Sequence, residues 1–182
     1  MSGFRLQRAE AALLVVDVQE KLAAAMPQVA LEWMVKRTCA LIEGGRVLGL
    51  PIVYTEQYSK GLGPTLSALK ERLTGVAPLE KVRFSAVDER VRAQLQGRHQ
   101  VLVAGMETHI CVYQTVRALA ADGVLPVLCA DAVLSRFETD LKIGLQLASE
   151  AGAMVSTVET ALFDLLGEAG TPEFKRISAA IR

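Results

Sequence analysis

Apolar residues fall into short runs, at positions 11–16, 52–54, 101–104, 124–128 and 154–158. A run with no polar alternation predicts a strand covered on both faces, as in a parallel sheet between two helical layers. A weaker run at 81–84 predicts a short strand or a strand end. Between the runs the period changes to that of a helix. Leu31, Met34, Thr38, Leu41, Gly45 and Leu48 are spaced by three or four and share one helical face. Val87, Val91 and Leu95 mark a second helix, with Ser85 as a plausible N-cap and Asp88 and Glu89 in the first turn. Val112, Val116 and Leu119 mark a third, stopped near Asp122-Gly123; Leu141, Leu145 and Ala148 mark a fourth, ended by Gly152. This alternation predicts an α/β doubly wound sheet of about six strands, flanked by helices in three layers. The segment EQYSKGLGP at 56–64 reads as a loop after the second strand, where such loops line the ligand crevice.

Length and composition narrow the function. A chain of 182 residues fits one domain, 1–182, large enough to fold without disulfides or metal. Its 51% hydrophobic and 22% charged residues exclude intrinsic disorder. Twenty basic residues balance twenty acidic ones, and only 5% are aromatic. A nucleic-acid partner is therefore not expected: phosphate neutralisation needs a basic excess, and base stacking needs aromatics. The same neutrality favours buried subunit contacts and a homo-oligomer, a dimer or larger. Cys39, Cys111 and Cys129 are odd in number and lack CxxC spacing, so a reducing cytoplasm is expected. The first apolar run is cut short by Asp17, and no segment reaches the ~18 apolar residues of a membrane span. We expect neither a leader nor a membrane partner.

Three residues stand out for chemistry. Asp17 ends the first strand, where open α/β sheets place their sites; position alone serves equally for a turn-forming aspartate. Cys111 follows the strand at 101–104 and opens a helix, where free amides and the positive helix end would lower its pKa. Cys39 and Cys129 lie within a helix and near a strand end, as inert packing residues do. Lys81 precedes the helix begun near Ser85 and acts in catalysis only if it faces Asp17. His109 resembles a base for Cys111, but residues two apart project to different sides of a helix. With only His99 and His109 in the chain, no metal cluster is expected.

Taken together, the blocks LLVVDVQ at 13–19, KVRFSA at 81–86 and GMETHIC at 105–111 resemble the isochorismatase-like cysteine hydrolases. The resemblance runs from about residue 11 to about residue 158. It implies a six-stranded, mostly parallel sheet of order 3-2-1-4-5-6, with Asp17 and Cys111 at the switch point. It implies an acid-base carboxylate at Asp17, a lysine at Lys81 and a nucleophile at Cys111. It also implies a cis peptide between Met106 and Glu107, with an oxyanion hole from the Glu107 and Cys111 amides. Gln19, Glu56, Gln57, Tyr58 and Phe84 are then candidates for shaping a small-molecule pocket. Metal-binding nicotinamidases of the family carry histidines after the second strand; the segment TEQYSKGLG at 55–63 has none. True isochorismatases generally lack the cysteine that stands here at 111. The expectation is therefore hydrolysis of a small amide or related C–N substrate without cofactor or metal. Isochorismatase or nicotinamidase activity, a redox-sensing thiol and an idle oligomeric scaffold are its rivals.

Overall fold

The computed structural model describes residues 5–182. Along the chain run β1 (Ala11–Val16), α1 (Glu20–Ala24), α2 (Gln28–Val47), β2 (Ile52–Gln57), and the short helices α3 (Ser59–Leu62) and α4 (Ser67–Lys70). Then come β3 (Leu79–Lys81), α5 (Glu89–Gln94), β4 (Gln100–Met106) and a π-turn (Thr108–Val112) that runs into α6 (Tyr113–Ala121). The chain continues through β5 (Leu125–Leu134), α7 (Glu138–Glu150), β6 (Met154–Ser156), α8 (Val158–Leu166) and α9 (Pro172–Ile181). The strands form one six-stranded sheet of order β3-β2-β1-β4-β5-β6, and every neighbouring pair is parallel. The fold is a doubly wound α/β sandwich. Among the described residues no helix is long and apolar enough to cross a membrane.

Burial explains the apolar runs. Every residue of β1 and β4 is buried, because both faces of these central strands are covered. Leu13, Val15, Leu102 and Ala104 join one core with Leu41, Ile42, Leu162 and Ile177 of α2, α8 and α9. Ala12, Leu14, Val16, Val101 and Val103 join the other with Val91, Val116 and Ala148 of α5, α6 and α7.

The structure departs from the sequence pattern at several element ends. The third strand is Leu79–Lys81, not 81–84: Lys81 is its last residue, and Val82 and Phe84 stand in solvent. Apolar character misled there, because β2 offers partners only to residues 79–81. Asp88, not Ser85, caps α5 by accepting from Val91 N at 3.0 Å. Ser85 instead accepts from Val87 N two residues on. The last strand stops at Ser156, and Thr157 caps α8. The segment expected as a loop from 56 begins within β2 and forms α3 after Tyr58, whose φ is 39°. Helices α8 and α9, which no periodicity argument had marked, close the first core.

Candidate functional site

The ends of β1, β3 and β4 meet on the carboxyl side of the sheet, and each delivers one side chain. Asp17 follows β1 with φ 52°, a left-handed conformation uncommon for a non-glycine residue, and its side chain is wholly buried. Its Oδ1 accepts from Thr55 Oγ1 at 2.7 Å, and its Oδ2 lies 2.5 Å from Lys81 Nζ. Lys81 also donates to Gln57 Oε1 at 2.7 Å and to the Phe84 and Arg83 carbonyls at 3.0 and 3.1 Å. Those four oxygens fix the ammonium where solvent barely reaches. Cys111 sits in the π-turn, buried, close enough to Asp17 for charge and hydrogen bonding to act between them.

Electrostatics here run against a simple helix-start argument. Burial pushes the Cys111 thiol up, to about 12; the Asp17 charge pushes the same way, and Lys81 pulls it back. A lowered thiol pKa was the expectation, and desolvation reverses it. Burial also raises the Asp17 carboxyl, against Lys81, Thr55 and the thiol. Both groups are thus raised by burial, and the Lys81 cation opposes the shift in each.

Around this centre the Met106–Glu107 peptide is cis. The buried Glu107 carboxylate accepts from Arg136 N at 3.1 Å and Arg136 Nε at 2.9 Å. Arg136 escaped sequence reasoning, since nothing in its local pattern separates it from a surface arginine. Gln19 is fully buried and gives its polar atoms to backbone: Gln57 N at 2.7 Å, Gln57 O at 3.1 Å and Gly63 O at 2.6 Å. Glu56 accepts from Thr65 N and Oγ1 at 2.7 and 2.8 Å. These two side chains brace the segment after β2. Gln57 touches Lys81, while Tyr58 and Phe84 are about half exposed. His109 turns to Ser135, with Nδ1 3.0 Å from Oγ, and its Nε2 lies 3.8 Å from Asp140. Among the described residues no three His, Cys, Asp or Glu side chains converge as metal ligands.

The isochorismatase domain model matches residues 11–160, a span that holds all three side chains. The chain belongs to the isochorismatase family. This isochorismatase-family chain is 35% identical over 173 residues to isochorismatase domain-containing protein 2 of Bos taurus, covering 93% of the chain and 82% of the relative. It is 33% identical over 177 residues to a secreted isochorismatase effector of Phytophthora sojae, covering 93% and 83%. Among solved structures, one described as MAR1 ribonuclease from Caenorhabditis elegans superposes with a TM-score of 0.92 at 33% identity, covering 98% and 92%. Membership brings a hydrolase-type fold and leaves the substrate open.

Proposed function

We propose that this chain is a metal-independent cysteine hydrolase of small amides or related C–N compounds, acting through Asp17, Lys81 and Cys111. The carrying observation is the buried cluster in which Lys81 Nζ stands 2.5 Å from Asp17 beside the Cys111 thiol. Because the free thiol is held neutral, attack requires a base in place, and Asp17 is that base. The thiol proton passes to Asp17 as sulfur bonds to the substrate carbonyl carbon. Lys81 offsets the charge that spreads over carboxylate and sulfur. The resulting oxyanion is held by the Glu107 and Cys111 N–H groups, donors of a kind worth about 3–4 kcal/mol each. The C–N bond then breaks, and Asp17 returns the proton to the departing amine. Water, deprotonated by Asp17, attacks the thioester and releases the acid and the thiol. Gln57 holds Lys81 Nζ, and the half-exposed Tyr58 and Phe84 are candidates to shape the pocket; Gln19 and Glu56 hold the segment that carries Gln57 and Tyr58.

The test is a panel of acetamide, propionamide, benzamide, nicotinamide and malonamide, run with wild type and Cys111→Ala. Turnover by wild type alone supports the reading. Equal rates in the two proteins, or none in wild type, remove it. The description of the C. elegans relative favours a second reading, RNA cleavage, so an RNA oligomer belongs in the panel. Balanced charge and few aromatics set that reading second. We also infer a homo-oligomer: Val82, Phe84 and Phe137 expose apolar surface beside Lys81 and Arg136 in the chain, and a light-scattering mass of 19.6 kDa would refute it. Three free thiols fit a reducing cytoplasm.

A further inference from the structure

Thr115 lies on α6 four residues beyond Cys111, and it is wholly buried. Its Oγ1 donates to the Cys111 carbonyl at 2.6 Å and accepts from Ala86 N at 2.9 Å. The first contact is the usual bond of a helical threonine to the carbonyl four residues back. The second is not local, since Ala86 ends the segment whose Arg83 and Phe84 carbonyls hold Lys81 Nζ. A continuous path thus runs from Asp17 through Lys81, the Phe84 carbonyl, the Ala86 N–H and Thr115 to Cys111. On its other side the nucleophile turn has no room to yield. A Cβ added at Gly144 of α7 would lie 2.8 Å from His109 N and 2.9 Å from the Thr108 carbonyl carbon.

We propose that Thr115 is a positioning residue: its single buried hydroxyl couples the segment that seats Lys81 to the turn that carries Cys111, and so sets the placement of cation against thiol. The assignment rests on the cysteine-hydrolase reading for its catalytic meaning, but not for its geometry. Without the hydroxyl the buried Ala86 N–H loses its acceptor, and the segment must shift to find another. Lys81 moves with it, away from the sulfur that it helps to ionise. Small misplacements of this kind cost roughly 10- to 100-fold in rate.

Three variants decide the matter. Thr115→Val keeps the shape and removes the hydroxyl; Thr115→Ser restores it. Thr38→Val is the matched control, because Thr38 is equally buried in α2 and makes the same four-back bond, to Met34 O at 2.8 Å, with no link to the site. Iodoacetamide labelling of Cys111, followed against pH by mass spectrometry, reads the geometry without any substrate. Labelling should slow roughly 10-fold or more in Thr115→Val, recover in Thr115→Ser and stay unchanged in Thr38→Val. With the amide from the panel that wild type hydrolyses fastest, kcat should fall likewise while KM stays within about twofold. Wild-type or faster labelling in Thr115→Val overturns the proposal. So does an equal loss in Thr38→Val, which would mark a general packing effect. If labelling splits as expected while wild type hydrolyses nothing, the positioning role stands and the hydrolase reading falls.

Discussion

Among the described residues, two clusters each join an aspartate, a buried cation and a cysteine, one against each helical layer. Asp17, Lys81 and Cys111 lie toward α5, α6 and α7; Asp131, Arg37 and Cys129 lie toward α2, α8 and α9. In both, burial raises the thiol first, the aspartate charge raises it further and the cation opposes both. The residue types and charges match; the hydrogen bonding does not. Asp131 spends one oxygen on Arg37 Nε at 2.7 Å and the other on the first amide of α8, Val158 N, at 2.8 Å. Arg37 reaches on to the Ile181 carbonyl of α9 at 3.2 Å. That cluster fastens β5, α2, α8 and α9 together. Asp17 accepts one hydroxyl and one ammonium, and its remaining capacity faces the thiol. A carboxylate with a free acceptor site beside a thiol can move a proton, whereas one saturated by backbone amide and guanidinium holds elements in place.

Breaking each aspartate should separate the two clusters most sharply. If Asp17 carries the proton as proposed, Asp17→Asn should lower kcat about 10²–10⁴-fold. Asp131→Asn should leave kcat within about threefold, yet cost about 3 kcal/mol of stability in urea, because Arg37 stays buried without its partner. Comparable loss of turnover in both would end the distinction.

Thiol reactivity gives the next largest effect. Below a pKa of about 12 the thiolate fraction of Cys111 grows about tenfold per pH unit, so iodoacetamide labelling should climb without a plateau from pH 7 to 10. A plateau at neutral pH would mean a preformed thiolate. Asp17 raises the thiol by its charge, so Asp17→Asn should label faster at pH 8 than wild type even as its kcat falls. Cys129, wholly enclosed, should stay unlabelled in native protein throughout.

Stability against pH carries a smaller signal of fixed sign. Cys111 titrates higher when folded than its ordinary value of 9.0, so folding favours its protonated form. That contribution is present below pH 9 and is lost as pH rises toward 12. Cys111→Ala should therefore lose less stability than wild type between those pH values, as measured by urea unfolding. An identical alkaline slope would contradict the raised thiol. His109→Ala should have a small effect, a loss of no more than about threefold in kcat, since its ring engages Ser135 and Asp140 rather than the sulfur. Loss of all turnover in that variant would transfer the base role to His109.

The central strands were legible because burial on both faces leaves no choice of residue: the run of six at β1 was read with its true ends. Asp17 was legible for a related reason, as the first charge after that run. The edge strand β3 was misread because an edge takes its length from its one neighbour, β2, not from its own apolarity. The pattern marks Gln19 and Glu56 only as polar residues near strand ends; that their buried bonds brace the segment after β2 is visible only in three dimensions. The Asp131 cluster was missed entirely, although Asp131 follows an apolar stretch much as Asp17 does.

Sequence alone thus determined the layers, the mostly parallel character of the sheet and the strand ends at which Asp17 and Cys111 lie, because hydrophobic burial is imposed residue by residue along the chain. The tertiary structure alone decided which cation meets which carboxylate, which of two like clusters keeps an open acceptor, and whether the thiol is raised or lowered. Those properties depend on desolvation and on polar partners brought from distant segments, and neither is written in any local pattern.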